Sequence, residues 1–130
     1  MAKVRNGITY IGGTNTGTTV EFIIKRESLG SWNMYDSGGG VDSIVIAHGL
    51  SATEWKTITM LNITIIEDSG LSYVLLNNSF YNGGTGVGGG WGVNTTNHIF
   101  SMDVGGVFDT AQYDSTTINR GWYTFMYIPD

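Results

Sequence analysis

Two histidines, His48 and His98, are the side chains of this 130-residue sequence best suited to proton transfer near neutral pH. They stand far apart in the chain, with no H-x-H or H-E-x-x-H pair that would place two imidazoles on one metal ion. The spacing points to a hydrogen-bonded strand-end or core role for each. Serines are numerous enough to complete a Ser-His-Asp set on paper, but no G-x-S-x-G elbow presents one as a nucleophile. The sequence has no cysteine, which excludes thiolate zinc sites, disulfide scaffolds and cysteine catalysis. Asp103, Asp109 and Asp114 lack the D-x-D-x-D-G order of a calcium loop and read as turn-formers. The glycine run from Asn82 to Gly92 carries no Lys-Ser or Lys-Thr step opening a helix, so it is not a phosphate loop. The expectation is a non-enzyme with no catalytic residue, no metal and no cofactor.

Binding chemistry is better represented. Trp32, Tyr35, Tyr81 and Trp91 each sit in a Gly- or Asn-rich stretch rather than on an alternating strand, and flat rings on such loops are ligand-contact candidates. Arg120 lies in Asn119-Arg120-Gly121-Trp122 and is the basic residue best placed for a structural role. Its planar guanidinium could bridge Asp109 or Asp114 across adjacent turns. Three sequons, at Asn62, Asn77 and Asn94, read as accidents of an Asn- and Thr-rich chain.

The elements that must carry these residues are strands. Val, Ile, Thr, Tyr, Phe and Trp recur in short runs between clusters of Gly, Asn, Asp and Ser. Strands are expected over 4–11, 19–26, 41–47, 55–67, 72–76, 98–104 and 122–128, and no stretch of a dozen residues carries a helical stripe. In 19–26 the even positions Val20, Phe22 and Ile24 are expected to face the core, with Glu21 and Lys25 opposite. The 55–67 run changes phase near Met60 and Leu61, which predicts a β-bulge there. The last strand is apolar on both faces and needs cover on both, from a loop of the same subunit or from an identical subunit; on the second reading Trp122, Phe125 and Tyr127 are candidates for an oligomer interface. Together these predict an all-β, single-domain antiparallel β-sandwich over 1–130, jelly-roll-like, with Gly-rich loops.

Charge narrows the partners. Charged residues make up 13% of the sequence, against roughly 25% in an average domain, and the net charge is −5. Six scattered basic residues disfavour nucleic acid as a partner. No secretory signal is visible, and no apolar run reaches the ~18–20 residues of a membrane span.

The order of motifs in the second half carries a resemblance. Ile46-Ala47-His48-Gly49-Leu50 is followed by Trp55-Lys56-Thr57-Ile58, a Gly-rich loop, Asn97-His98-Ile99 and Gly105-Gly106-Val107-Phe108-Asp109. Tyr113-Asp114-Ser115-Thr116-Thr117-Ile118-Asn119-Arg120-Gly121-Trp122 then leads into an aromatic strand. Over residues 40–128 this resembles a small β domain of tailed-bacteriophage structural proteins, found near the C-terminus of tail-fibre chains in marine and Bacteroidetes-associated phages. The resemblance implies a non-enzymatic virion component made in the bacterial host cytoplasm and displayed on the extracellular particle, serving host attachment or particle stabilisation. It implies a homo-oligomer, with a trimer favoured, contacting other virion proteins and a host surface glycan. Fibre chains carry a long stalk ahead of such a domain, whereas this sequence starts at Met1 and is nearly all domain. That leaves a fragment, a spike and a capsid decoration protein open, beside the alternative of a carbohydrate-binding β-sandwich module.

Overall fold

Alternating aromatics at the C-terminal end form strand β8 (Gly121–Tyr127), and the rest of the architecture is arranged around it. A computed structural model describes residues 8–15, 18–70, 73–75 and 88–130, with side chains over 21–70 and 88–130. The remaining strands are β1 (Ile8–Asn15), β2 (Thr18–Ser28), β3 (Ser43–Ala47), β4 (Thr59–Ile66), β5 (Tyr73–Leu75), β6 (Gly89–Val93) and β7 (Asn97–Met102). Short 3-10 turns at Asp36–Gly38, Glu54–Thr57 and Ala111–Tyr113 are the helical pieces among the described residues. The chain is all-β, as its composition predicts.

Five strands form one antiparallel sheet in the order β1-β2-β8-β4-β5, and three form a second in the order β3-β7-β6. The sheets meet face to face through aromatic rings. Side chains on alternate positions of β8 and β7 turn toward each other, so that Tyr123 and Phe125 lie 5.1 and 4.5 Å from the His98 ring and Phe100 lies 4.8 Å from Tyr123. Ile23, Ile63, Ile65, Trp32, Met34 and Phe108 close the core around them.

Two sequence expectations about this packing have different outcomes. The phase change in β4 is a bulge: Met60 opposes Phe125 and Asn62 opposes Thr124, leaving Leu61 as the extra residue. Leu61 is half exposed while Ile63 and Ile65 are buried, so the bulge preserves one buried face by expelling a leucine. The expected face of β2 is inverted. Ile23 opposes Tyr127, Lys25 opposes Phe125 and Glu27 opposes Tyr123, so the odd positions face the second sheet, and Phe22 and Ile24 lie on the opposite face. The register with β8 overrides the local pattern because the inner aromatics offer partners to both charges. Lys25 lies 5.9 Å from the Phe125 ring centre, and Glu27 accepts a hydrogen bond from the Tyr123 hydroxyl at 2.7 Å.

Gly121 is fixed by close approach. A Cβ there would stand 1.9 Å from the Thr64 carbonyl oxygen, and φ is +156°, so β4 and β8 can pair at this point only if the residue has no side chain.

Candidate functional site

Two polar clusters hold the residues with chemical potential. The first lies between the sheets. The Trp91 indole N–H donates to Nδ1 of His98 at 3.1 Å, which places the imidazole proton on Nε2. His98 is fully buried, and its Nε2 has no hydrogen-bond partner among the described residues. Burial is the main reason its pKa falls from 6.5 to about 4, with His48 and Lys25 adding to the drop and Glu27 opposing it. His98 is therefore neutral at physiological pH. His48 sits just beyond β3, where Nε2 donates to the Asn94 carbonyl at 3.0 Å and Nδ1 accepts from the Leu50 N–H at 3.0 Å. Both rings brace the second sheet. A fully buried imidazole cannot exchange protons with a bound substrate, so His98 is structural.

At the rim of this cluster, Lys25 pairs with Glu27 at 3.0 Å and Tyr123 donates to the same carboxylate. Burial alone would raise the Glu27 carboxyl, but the hydrogen bonds from Tyr123 and Lys25 hold it below its usual value. Burial pushes the Tyr123 hydroxyl well above its ordinary range, and the neighbouring Glu27 pushes the same way. Tyr123→Phe is expected to lose about 1 kcal/mol in urea unfolding. The loss stays small because Glu27 is partly exposed and water replaces the hydroxyl.

The second cluster is a clamp around Arg120, which is fully buried. Its Nε donates to the Trp32 carbonyl and Nη1 to the Ile66 carbonyl, each at 2.8 Å. Nη2 donates to Asp68 at 2.8 Å and to the Ser115 carbonyl at 3.0 Å. The guanidinium also lies 5.6 Å from the Tyr113 ring centre. The expected carboxylate partners are thereby corrected, since neither Asp109 nor Asp114 reaches Arg120. Asp109 instead accepts from the backbone N–H groups of Asp36 and Gly105, each at 2.8 Å, and so ties two surface loops together. Asp114 stands beside Asp68, to which its backbone N–H donates at 3.2 Å. The hydrogen bond between the two carboxyls raises Asp114. Burial would raise Asp68, but Arg120 and Asp114 hold it low. Sequence spacing could not find Asp68, because the partner enters from the far end of β4.

A cleft of about 220 Å³ opens beside the clamp, lined by Glu67, Asp68, Ser69 and Gln112. It falls short of the ~300–1,000 Å³ usual for small-molecule sites, and its acidic residues are already engaged, Asp68 with Arg120 and backbone amides and Glu67 with the Ser69 hydroxyl. No three metal-ligating side chains converge among the described residues.

The expected contact rings disperse. Trp32 is 1% exposed, and its indole N–H donates to the Val41 carbonyl at 2.9 Å, so it is a core residue rather than a ligand platform. Trp91 belongs to a strand, not a loop, and its ring packs inward against the core because Gly90 and Gly92 occupy the outward positions of β6. Tyr35 is half-buried ahead of the Asp36–Gly38 turn. Tyr81, glycines 83–86 and the Asn77 sequon lie outside the described residues. The candidate interface on β8 divides: Phe125 is fully buried and Tyr127 is 7% exposed, both covered within the fold, whereas Trp122 is half-buried on the opposite face of the strand, with the Arg26 guanidinium 4.2 Å from its ring centre. Comparison of the chain with family models, curated proteins and solved structures found no match in any of the three.

Proposed function

We propose that the chain is a non-enzymatic structural domain of a tailed-phage virion, displayed on the particle surface and serving attachment or stabilisation. The observation that carries this reading is the use made of the Tyr113–Trp122 stretch. The Tyr113 carbonyl accepts from the Met34 N–H at 2.9 Å, the Asn119 side chain accepts from the Gly30 N–H at 3.0 Å, and Arg120 holds the clamp. The stretch that carries the resemblance is thus a set of internal ties between distant loops, and its chemistry is architectural. Such ties suit a protein that must stay folded on a particle without chaperones. A β-sandwich of jelly-roll type and association of several copies belong to the same proposal.

The carbohydrate-binding alternative is weaker, since Trp32 is enclosed and the Trp91 indole N–H is engaged with His98. Labelling purified tailed-phage particles with antibody raised against the chain tests the proposal. Antibody bound at the particle surface supports it, and a chain absent from purified particles overturns it.

A further inference from the structure

The open edge of the three-stranded sheet has a hydrogen-bonding pattern that fits a second copy of itself. β3 is an edge strand, paired only with β7 among the described residues. Two bonds flanking that pair fix which backbone groups face outward. The His48 N–H donates to the Thr96 carbonyl at 3.1 Å, and the Met102 N–H donates to the Asp42 carbonyl at 2.9 Å. In an antiparallel ladder the hydrogen-bonded positions alternate, so the even residues of β3 turn their N–H and C=O toward β7. Ser43, Val45 and Ala47 turn theirs away from it, and all three residues are exposed, Val45 at 62%.

Natural edge strands are normally blunted by a charge, a proline, a bulge or a covering segment. Ser43-Ile44-Val45-Ile46-Ala47 has no charge and no proline, and its register with β7 runs without a bulge. The strand also reads nearly the same in both directions. With Val45 opposite its own copy, Ile44 faces Ile46 and Ser43 faces Ala47, so the inward isoleucines of both copies stay inward. Each of the three outward residues then exchanges both of its backbone bonds, and no donor or acceptor on the edge is left over. The flanking charge agrees with this direction. Antiparallel pairing puts the two Asp42 carboxylates at opposite ends of the seam, roughly 20 Å apart at ~3.3 Å per residue, beyond the ~8–10 Å Debye length.

We propose that a second copy of this chain docks on β3 about a two-fold axis through Val45, joining two three-stranded sheets into one of six. The proposal concerns a different face from β8 and does not depend on the virion reading. A five-residue seam is short against the ~1,200–2,000 Å² of a standard interface, so the dimer should dissociate on dilution.

The test is the solution mass of the full chain by analytical ultracentrifugation over a dilution series. The expected result is a shift from one copy toward two as concentration rises. Val45→Lys should abolish the shift with an unchanged far-UV spectrum. Val45→Pro should do the same, because the amide it removes faces away from β7. As the chain has no cysteine, Val45→Cys should give a covalent dimer with a short bifunctional thiol reagent, while Val104→Cys, equally exposed, should not. A single-copy mass at every concentration overturns the proposal, as does a dimer or trimer that survives Val45→Lys.

Discussion

Arg120→Ala is expected to destabilise the fold by about 4 kcal/mol, which for a chain of this length lowers the melting temperature by roughly 12–15 °C. The size follows from what the guanidinium leaves behind. Trp32, Ile66 and Ser115 each present a carbonyl to it, and Asp68 presents a carboxylate that is only one quarter exposed. An alanine strands these acceptors in a site too enclosed for water to serve all of them, and an unpaired buried acceptor costs about 1–3 kcal/mol. The carbonyls also belong to three different segments: the loop after β2, the end of β4 and the turn before β8. Arg120→Lys should recover only part of the loss, because one ammonium cannot span four acceptors that a planar fork reaches together. Asp68→Asn separates charge from geometry. It keeps an oxygen for Nη2 and should cost about 1 kcal/mol, since a partly exposed ion pair contributes little beyond its hydrogen bond. Calorimetric melting of the three variants checks the order. An Asp68→Asn loss as large as that of Arg120→Ala would mean that the ion pair, not the carbonyl clamp, holds these loops.

The clamp also shows where sequence reading stops. A lone arginine in a Gly- and Asn-flanked turn is legible as structural, since planar donors suit convergent carbonyls. Its partners are not legible, because they depend on β4 ending beside β8, and strand order is a long-range property. The same limit explains β2. Its local pattern supports either face: Val20, Phe22 and Ile24 are apolar on one side, and Ile23 sits on the other with the aliphatic stem of Lys25. The choice is made by β8, whose Tyr123 hydroxyl and Phe125 ring accommodate Glu27 and Lys25 inside the rim. The β4 bulge was readable because a phase change within one strand is local. Trp91 was not readable as a core ring, because the glycines around it look like a loop in sequence but serve as the featureless outer face of β6. The histidines were readable as structural from their isolation, but not the Trp91 bond that selects the His98 tautomer.

That tautomer leads to the second large effect, a loss of stability in mild acid that depends on one ring. His98 has a folded-state pKa of about 4 against an ordinary value of 6.5, so between these values the unfolded chain carries a proton that the folded chain does not. Stability therefore rises with pH through this window, and lowering the pH from 6.5 to 4 should remove about 3 kcal/mol. The cause is geometric as well as dielectric. A protonated His98 would turn an N–H at Nδ1 against the Trp91 N–H, replacing a hydrogen bond by two opposed donors, with its second N–H unpartnered among aromatic rings. The carboxylates Glu27 and Asp68 are held below their usual values, so their share of acid destabilisation falls mainly at lower pH. Urea unfolding between pH 7 and pH 4 should show a slope near one proton for the native sequence. His98→Phe should flatten that slope whatever it does to stability at pH 7, because a phenyl ring fills the same aromatic pocket without titrating. An unchanged slope in His98→Phe would remove His98 from the account.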